Sequence, residues 1–253
     1  MTVTLAFGPA RYALTLDDVT LPAELDRWRA DGSADDVPLR VIRAEPADVV
    51  PEGAGFAGDG FSVATAEGTT VVAIAPGRPR ALISALSAVV AQGAPTRGCV
   101  VLHAAAVRVA GGVALLLAPS GTGKTTFAAL SGGRSFAHNA ALVSVDPTPR
   151  AWALPFAGDA RPELDAMGVE RVVALARLKR GGGPGFEWRP RSGATTVVMQ
   201  HCARAPARDA LARERFMIAS ALALRVPFGV LAASRGPHDL GALDAALATE
   251  TRP

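Results

Sequence analysis

Val113-Ala114-Leu115-Leu116-Leu117-Ala118-Pro119-Ser120-Gly121-Thr122-Gly123-Lys124-Thr125-Thr126 is the stretch on which the reading of this chain turns. Its first five residues form an unbroken apolar run, the pattern of a strand buried on both faces. Its remainder is rich in Gly, Ser and Thr and ends on a lysine. Thr126 to Leu130 begins a predicted helix, which Ser131-Gly132-Gly133 ends. Lysine is scarce: the chain has 2 lysines against 24 arginines, and Lys124 is one of the two. A compact ammonium on a flexible stem suits phosphate chemistry in a way that a guanidinium does not.

Strand, glycine-rich turn, lysine and helix together read as a phosphate-binding loop. Gly121 and Gly123 let backbone N–H groups curl around phosphate oxygens where a Cβ would intrude. Ser120, Gly121, Thr122, Gly123, Lys124, Thr125 and Thr126 are the expected nucleotide contacts. Lys124 is expected to reach the β- and γ-phosphates, and the Thr125 hydroxyl to sit on Mg²⁺. A chance Gly/Ser/Thr turn is the competing reading, and the flanking strand and helix signals weigh against it.

Composition sets outer limits. The 253 residues are 49% hydrophobic and only 5% aromatic, so a sizeable core must rest on Ala, Val and Leu. A net charge of +3, spread along the chain, lacks the dense basic stripe of a nucleic-acid binder. The nearest approach is Arg177, Lys179, Arg180, Arg189 and Arg191 around Gly181-Gly182-Gly183-Pro184-Gly185, read as a solvated or substrate-facing loop. Val100–Ala118 is broken by His103, Arg108 and Gly111-Gly112, and Met217–Ala233 by Arg225 and Pro227, so neither is a membrane span. Cys99 and Cys202 are isolated, with neither a disulfide framework nor zinc spacing. With no signal-like N-terminus, a cytoplasmic location is expected.

Pattern divides the chain into a β-rich N-terminal lobe over 1–95 and a nucleotide-binding domain over 96–253. In the lobe, strands are predicted at Val3–Phe7, Tyr12–Leu16, Leu39–Ile42, Phe61–Ala66 and Thr70–Ala75, followed by a helix over Arg80–Ala91. Beyond it, a strand over Val100–Val109 turns through Ala110-Gly111-Gly112 into Val113–Leu117. Further strands are expected at Ala141–Val145, Ala151–Phe156, Val172–Leu178 and Val230–Ala232, with helices over Asp209–Leu224 and Asp239–Thr249. The expected fold class is therefore α/β.

Residues 99–146 resemble the nucleotide-binding core of the HPr kinase/phosphorylase family. Ser120-Gly121-Thr122-Gly123-Lys124-Thr125 follows that family's loop pattern from the serine onward, with Ala118 at the usual first glycine. Leu102-His103 stands where the family carries a histidine, on the strand before the hairpin. Leu224-Arg225-Val226-Pro227-Phe228-Gly229-Val230-Leu231 is similar to the closing segment of small divergent relatives, including peptide-tailoring kinases. The resemblance implies a P-loop core of HPr-kinase-like type. It also implies ATP (or GTP) with Mg²⁺ as cofactors, a hydroxyl of a small protein or peptide as acceptor, and a possible homo-oligomer.

One departure bears on mechanism. The family places an Asp-Asp pair after the loop helix, for metal binding and proton acceptance; His138-Asn139 stands there in this chain. Asn139 offers one amide oxygen, and His138 a base of ordinary pKa about 6.5. The nearest carboxylate is Asp146, read either as a strand-ending metal ligand or as the turn residue of Asp146-Pro147-Thr148-Pro149. His103 likewise has two readings, an active-site group or a hydrogen-bonded core histidine. Two functions follow: an ATP-dependent kinase using Lys124 with His103 or His138, or a nucleotide-binding partner protein that has lost the acidic pair and with it catalysis.

Overall fold

The computed structural model describes residues 1–33, 35–44, 55–66, 69–78, 80–156, 168–181, 185–203, 211–233 and 239–249. It is a mixed α/β protein with two mixed sheets, in two compact units: Met1–Arg97, and Gly98–Ala203 together with the chain from Ala212.

In the N-terminal unit, β1 (Thr2–Phe7) and β2 (Ala10–Asp17) form an antiparallel hairpin across Gly8-Pro9, where Gly8 takes φ 65°. A glycine at positive φ followed by a proline matches the twist that a two-residue hairpin needs. Then come β3 (Val37–Arg43), β4 (Gly55–Gly58), β5 (Phe61–Ala66) and β6 (Thr69–Ile74), giving the strand order β1-β2-β3-β6-β5-β4. Alternation dictates the buried side: Val3, Leu5 and Phe7 face Tyr12, Leu14 and Leu16 in the core. Helix α1 (Ala81–Gly93) buries Leu82, Ala85, Leu86, Val89 and Val90 and packs on β5 and β6.

The second unit starts with β7 (Cys99–Leu102), β8 (Ala104–Val109) and β9 (Gly112–Leu117). The strand expected over Val100–Val109 is thus two strands, broken at His103. The reason is a change of partner: β7 pairs with β11 (Ala141–Ser144), and β8 with β9 and with β10 (Ser135–Ala137). Helix α2 (Lys124–Ala129) begins two residues before the predicted start and ends before Ser131. After β12 (Arg150–Ala153), the long β13 (Val169–Arg180) runs parallel to β9. β14 (Gly185–Trp188), α3 (Ala194–His201), α4 (Ala212–Arg225), β15 (Phe228–Ala233) and α5 (Asp239–Ala248) complete the unit. β4, β10, β14 and α3 were not legible as elements in the sequence.

The strand path is β10-β8-β9-β13-β12-β11-β7, with β14 and β15 beyond β13. Each end strand runs on into the neighbour of the other, β7 into β8 through His103 and β10 into β11 through residues 138–140. Leu102 pairs with Ala141 and Ala106 with Ala137 in the same register, so His103, Ala104 and Ala105 stand across from Ala140, Asn139 and His138. The sheet curls back on itself at these six residues.

Both faces of the strands are covered. Ala104, Ala106, Val113, Leu115 and Leu117 pack with α3 and α4 residues such as Val198, Ala219 and Leu222. Ala105, Val107, Ala114 and Leu116 pack with Phe127 and Ala128 of α2 and Leu240, Leu243 and Leu247 of α5. Small side chains on strands let helices approach on both sides, which is how an aromatic-poor sequence fills a two-faced core.

Candidate functional site

Leu117 ends β9 buried, and the chain passes through residues 118–123 into α2. Gly121 takes φ 75° and Gly123 φ 98°, conformations that a Cβ disfavours, so the glycines hold the turn that the sequence assigned to them. Gly123 is the N-cap of α2 and carries no side-chain cap. The backbone N–H groups at this helix start are therefore not taken by a capping side chain.

Lys124 is only 4% exposed. Its Nζ donates to the carbonyl oxygens of Ala118 at 2.6 Å and Pro119 at 3.2 Å, drawing the ammonium under the loop. Burial pushes its pKa below the ordinary lysine value. Thr125 Oγ1 donates to the His138 backbone carbonyl at 3.2 Å, which ties the first turn of α2 to the bend between β10 and β11. The start of α2, just after the loop, and the backbone at His138 thus meet at one place.

The remaining predicted residues divide. The His138 ring is 2% exposed and meets Ser135 Oγ at 3.1 Å through Nε2, so its side chain is spent on the neighbouring strand. Asn139 is half-buried, and its Nδ2 donates to the Phe156 carbonyl at 3.4 Å. Asp146 is exposed and accepts from Arg225 Nη1 at 2.5 Å, at the end of α4. Among the described residues, no group of three or more His, Cys, Asp or Glu converges as a metal site.

His103 sits at the break between β7 and β8. Leu102 and Ala104 both belong to the cluster beneath α3 and α4, so strand alternation turns His103 to the side of α2. Its backbone N–H donates to the His201 carbonyl at 2.7 Å in place of a ladder bond. Burial first, then the Lys124 charge and then His201, push the imidazole below its ordinary pKa. His103 is consequently neutral near pH 7.

Two residues that sequence reasoning did not place at the loop belong to this neighbourhood: Arg180, read only as part of a solvated or substrate-facing loop, and His201. His201 ends α3 buried, with Nδ1 2.7 Å from the Val197 carbonyl, and its own carbonyl holds the His103 amide. Arg180 ends β13, donating from Nε to Thr122 O at 2.8 Å and from Nη2 to Gly121 O at 2.6 Å. Parallel pairing of β13 with β9 was the missing signal, because it puts the end of one strand beside the loop after the other. A cavity of about 450 Å³ next to Pro119 is lined by Arg177, Lys179 and Arg180, so the second lysine of the chain also lies beside the loop. His238 lies outside the described residues.

No protein-family model matches the chain, and comparison with curated proteins gives no match. No helix among the described residues is long and apolar enough to cross a membrane.

Proposed function

We propose that the second unit is an HPr-kinase-like P-loop domain that binds ATP and transfers its γ-phosphoryl group to a Ser or Thr hydroxyl of a small protein or peptide. The observation that carries this reading is the path from β9 to α2: two glycines at positive φ, then a buried lysine whose ammonium lies under the turn. The residues fit phosphate: loop N–H groups for its oxygens, Lys124 for its charge, and a nearby strand of cationic side chains.

In this reading Lys124 exchanges its two carbonyl contacts for β- and γ-oxygens, and neutralises charge that builds up during transfer. The acceptor oxygen forms the new bond to phosphorus as the bond to the ADP oxygen breaks. The acceptor proton passes to His103, whose neutral imidazole can take it; the buried ring of His138 is held by Ser135 and is less suited. Mg²⁺, when bound with the nucleotide, supplies charge neutralisation across the phosphates. The Thr125 hydroxyl and the Asn139 amide oxygen are the protein groups that would hold it, a set without a carboxylate, which leaves most of the coordination to phosphate and water.

That thin donor set favours a second reading, a nucleotide-binding partner protein that changes its fit to another protein without turnover. Labelled ATP, Mg²⁺ and candidate peptides separate the two. Phosphopeptide, or ADP above a Lys124→Ala control, supports the kinase; tight nucleotide binding with no turnover above that control removes it.

A further inference from the structure

The N-terminal unit holds a cavity of about 660 Å³ that the nucleotide chemistry does not use. It opens where the segment after β2, the end of β3 and the start of α1 meet. Its floor is apolar, from Leu21, Ile74 and Leu82, each at most 7% exposed. Its rim is cationic: Arg43 from β3, Arg78 from the turn before α1, and Arg80 at the α1 N-cap. Among the described lining residues the charged groups are Glu24 and the guanidinium groups of Arg43, Arg78 and Arg80.

From this we infer that the cavity is a docking site for an acidic peptide segment, with carboxylates on the arginine rim and an apolar side chain on the floor. Guanidinium groups are matched to carboxylates by their paired N–H geometry, and no deprotonation at ordinary pH removes their charge. Arg78 has one counter-ion already, Asp59 at 3.9 Å, but both side chains are well exposed and the pair is loose. The volume is that of an organic ligand site, typically about 300–1,000 Å³, and far exceeds a lone inorganic anion. Ala23, Glu24 and Gly77 on the lining are exposed, so the cavity is open to solvent there. An enclosed pocket would suit a small metabolite; an open one with a charged rim suits a peptide.

The site needs no nucleotide, so its test is separate from that of the loop. A fluorescein-labelled octapeptide of alternating leucine and glutamate is titrated with the full chain in the absence of ATP, beside the same peptide with glutamine for glutamate. Saturable binding of the acidic peptide, at least about tenfold tighter than its glutamine counterpart and weakened by salt, is the expected result. Arg43→Gln with Arg80→Gln should weaken it by about tenfold or more with an unchanged circular-dichroism spectrum. If that variant does not fold, the comparison of the two peptides on the unaltered chain decides. Equal binding of both peptides, binding of neither, or binding unaffected in a folded double variant overturns the proposal. Equal affinity for inorganic phosphate would mark a simple anion site and overturn it as well.

Discussion

Arg180 Nε donates to the carbonyl of Thr122 at 2.8 Å, while its Nη2 reaches Gly121 O at 2.6 Å, so one guanidinium at the end of β13 spans two successive carbonyls of the loop after β9. In a loop that directs its N–H groups at phosphate, the carbonyls are directed outward and are open to such a brace. If the loop holds nucleotide as proposed, Arg180 acts on it through the shape of the loop. Arg180→Gln is expected to weaken nucleotide binding about three- to tenfold by loosening a preorganised turn. As an exposed side chain it should leave unfolding free energy within about 0.5 kcal/mol. Arg180→Lys, which lacks the fork, should fall between. Calorimetric titration with a nucleotide analogue and urea unfolding check both halves; a large stability loss would make Arg180 a structural brace instead.

The His138-Asn139 pair yields an asymmetric prediction. Asn139 is half-buried with one weak bond to Phe156 O, whereas the His138 ring is almost wholly enclosed beside Ser135. Asn139→Asp places a carboxylate next to the Thr125 contact and should tighten Mg²⁺ dependence of nucleotide binding several-fold. His138→Asp should instead destabilise the fold, by about 1–3 kcal/mol, because it buries a group that lacks a charged partner. Mg²⁺ titrations of nucleotide affinity and urea unfolding of each single variant check the contrast. No response of metal dependence to Asn139→Asp would detach this segment from the metal.

The local pattern of the loop region was readable because its signals are local: an apolar run, two glycines and a lysine within fourteen residues. The same holds for the N-terminal strands, whose alternation is visible in Val3, Leu5 and Phe7. The break at His103 was not readable. A run from Val100 to Val109 looks like one strand to any window, and only the choice of β11 for one half and β9 for the other divides it. The placing of Arg180 and His201 beside the loop and His103 was not readable for a related reason, since it comes from pairings between distant segments. Asp146 could be read both as a strand-ending acid and as a turn residue; in the fold its carboxylate is engaged by Arg225 from α4, 79 residues further along the chain.

Gly112 and Gly111 occupy one turn and should respond very differently to alanine. A Cβ on Gly112 would stand 2.2 Å from the backbone oxygen of Arg171, whereas the nearest atom to one on Gly111 is a methyl of Val173 at 3.9 Å. The first clash is with a neighbouring strand that cannot yield without breaking its own pairing. Gly112→Ala should cost about 2–4 kcal/mol, combining overpacking with strain. Gly111→Ala, strained only by its φ of 81°, should cost about 1–2 kcal/mol. Urea unfolding of the two variants side by side checks the order, and equal costs would mean that β9 and β13 separate easily.

His103 makes stability depend on pH in a predictable direction. Burial, with the charges of Lys124 and His201 behind it, holds the folded imidazole below its ordinary value. In the unfolded chain it titrates near about 6.5. Above that value both states carry a neutral ring and the histidine is indifferent to pH. Between the folded and unfolded pKa values the unfolded chain holds the extra proton, so this group makes stability fall as pH drops through about 6.5, and its effect levels off below the folded pKa. His103→Gln cannot take up that proton and should lose this part of the slope. The measurement is the difference in urea-unfolding free energy between wild type and variant from pH 8 to pH 5. It should shift steadily in the variant's favour as pH falls, and a constant difference would mean that His103 titrates alike in both states. Should the kinase reading hold, wild-type turnover ought to decline only at the acid end of this range, as pH falls through the lowered folded pKa and the imidazole ceases to serve as base.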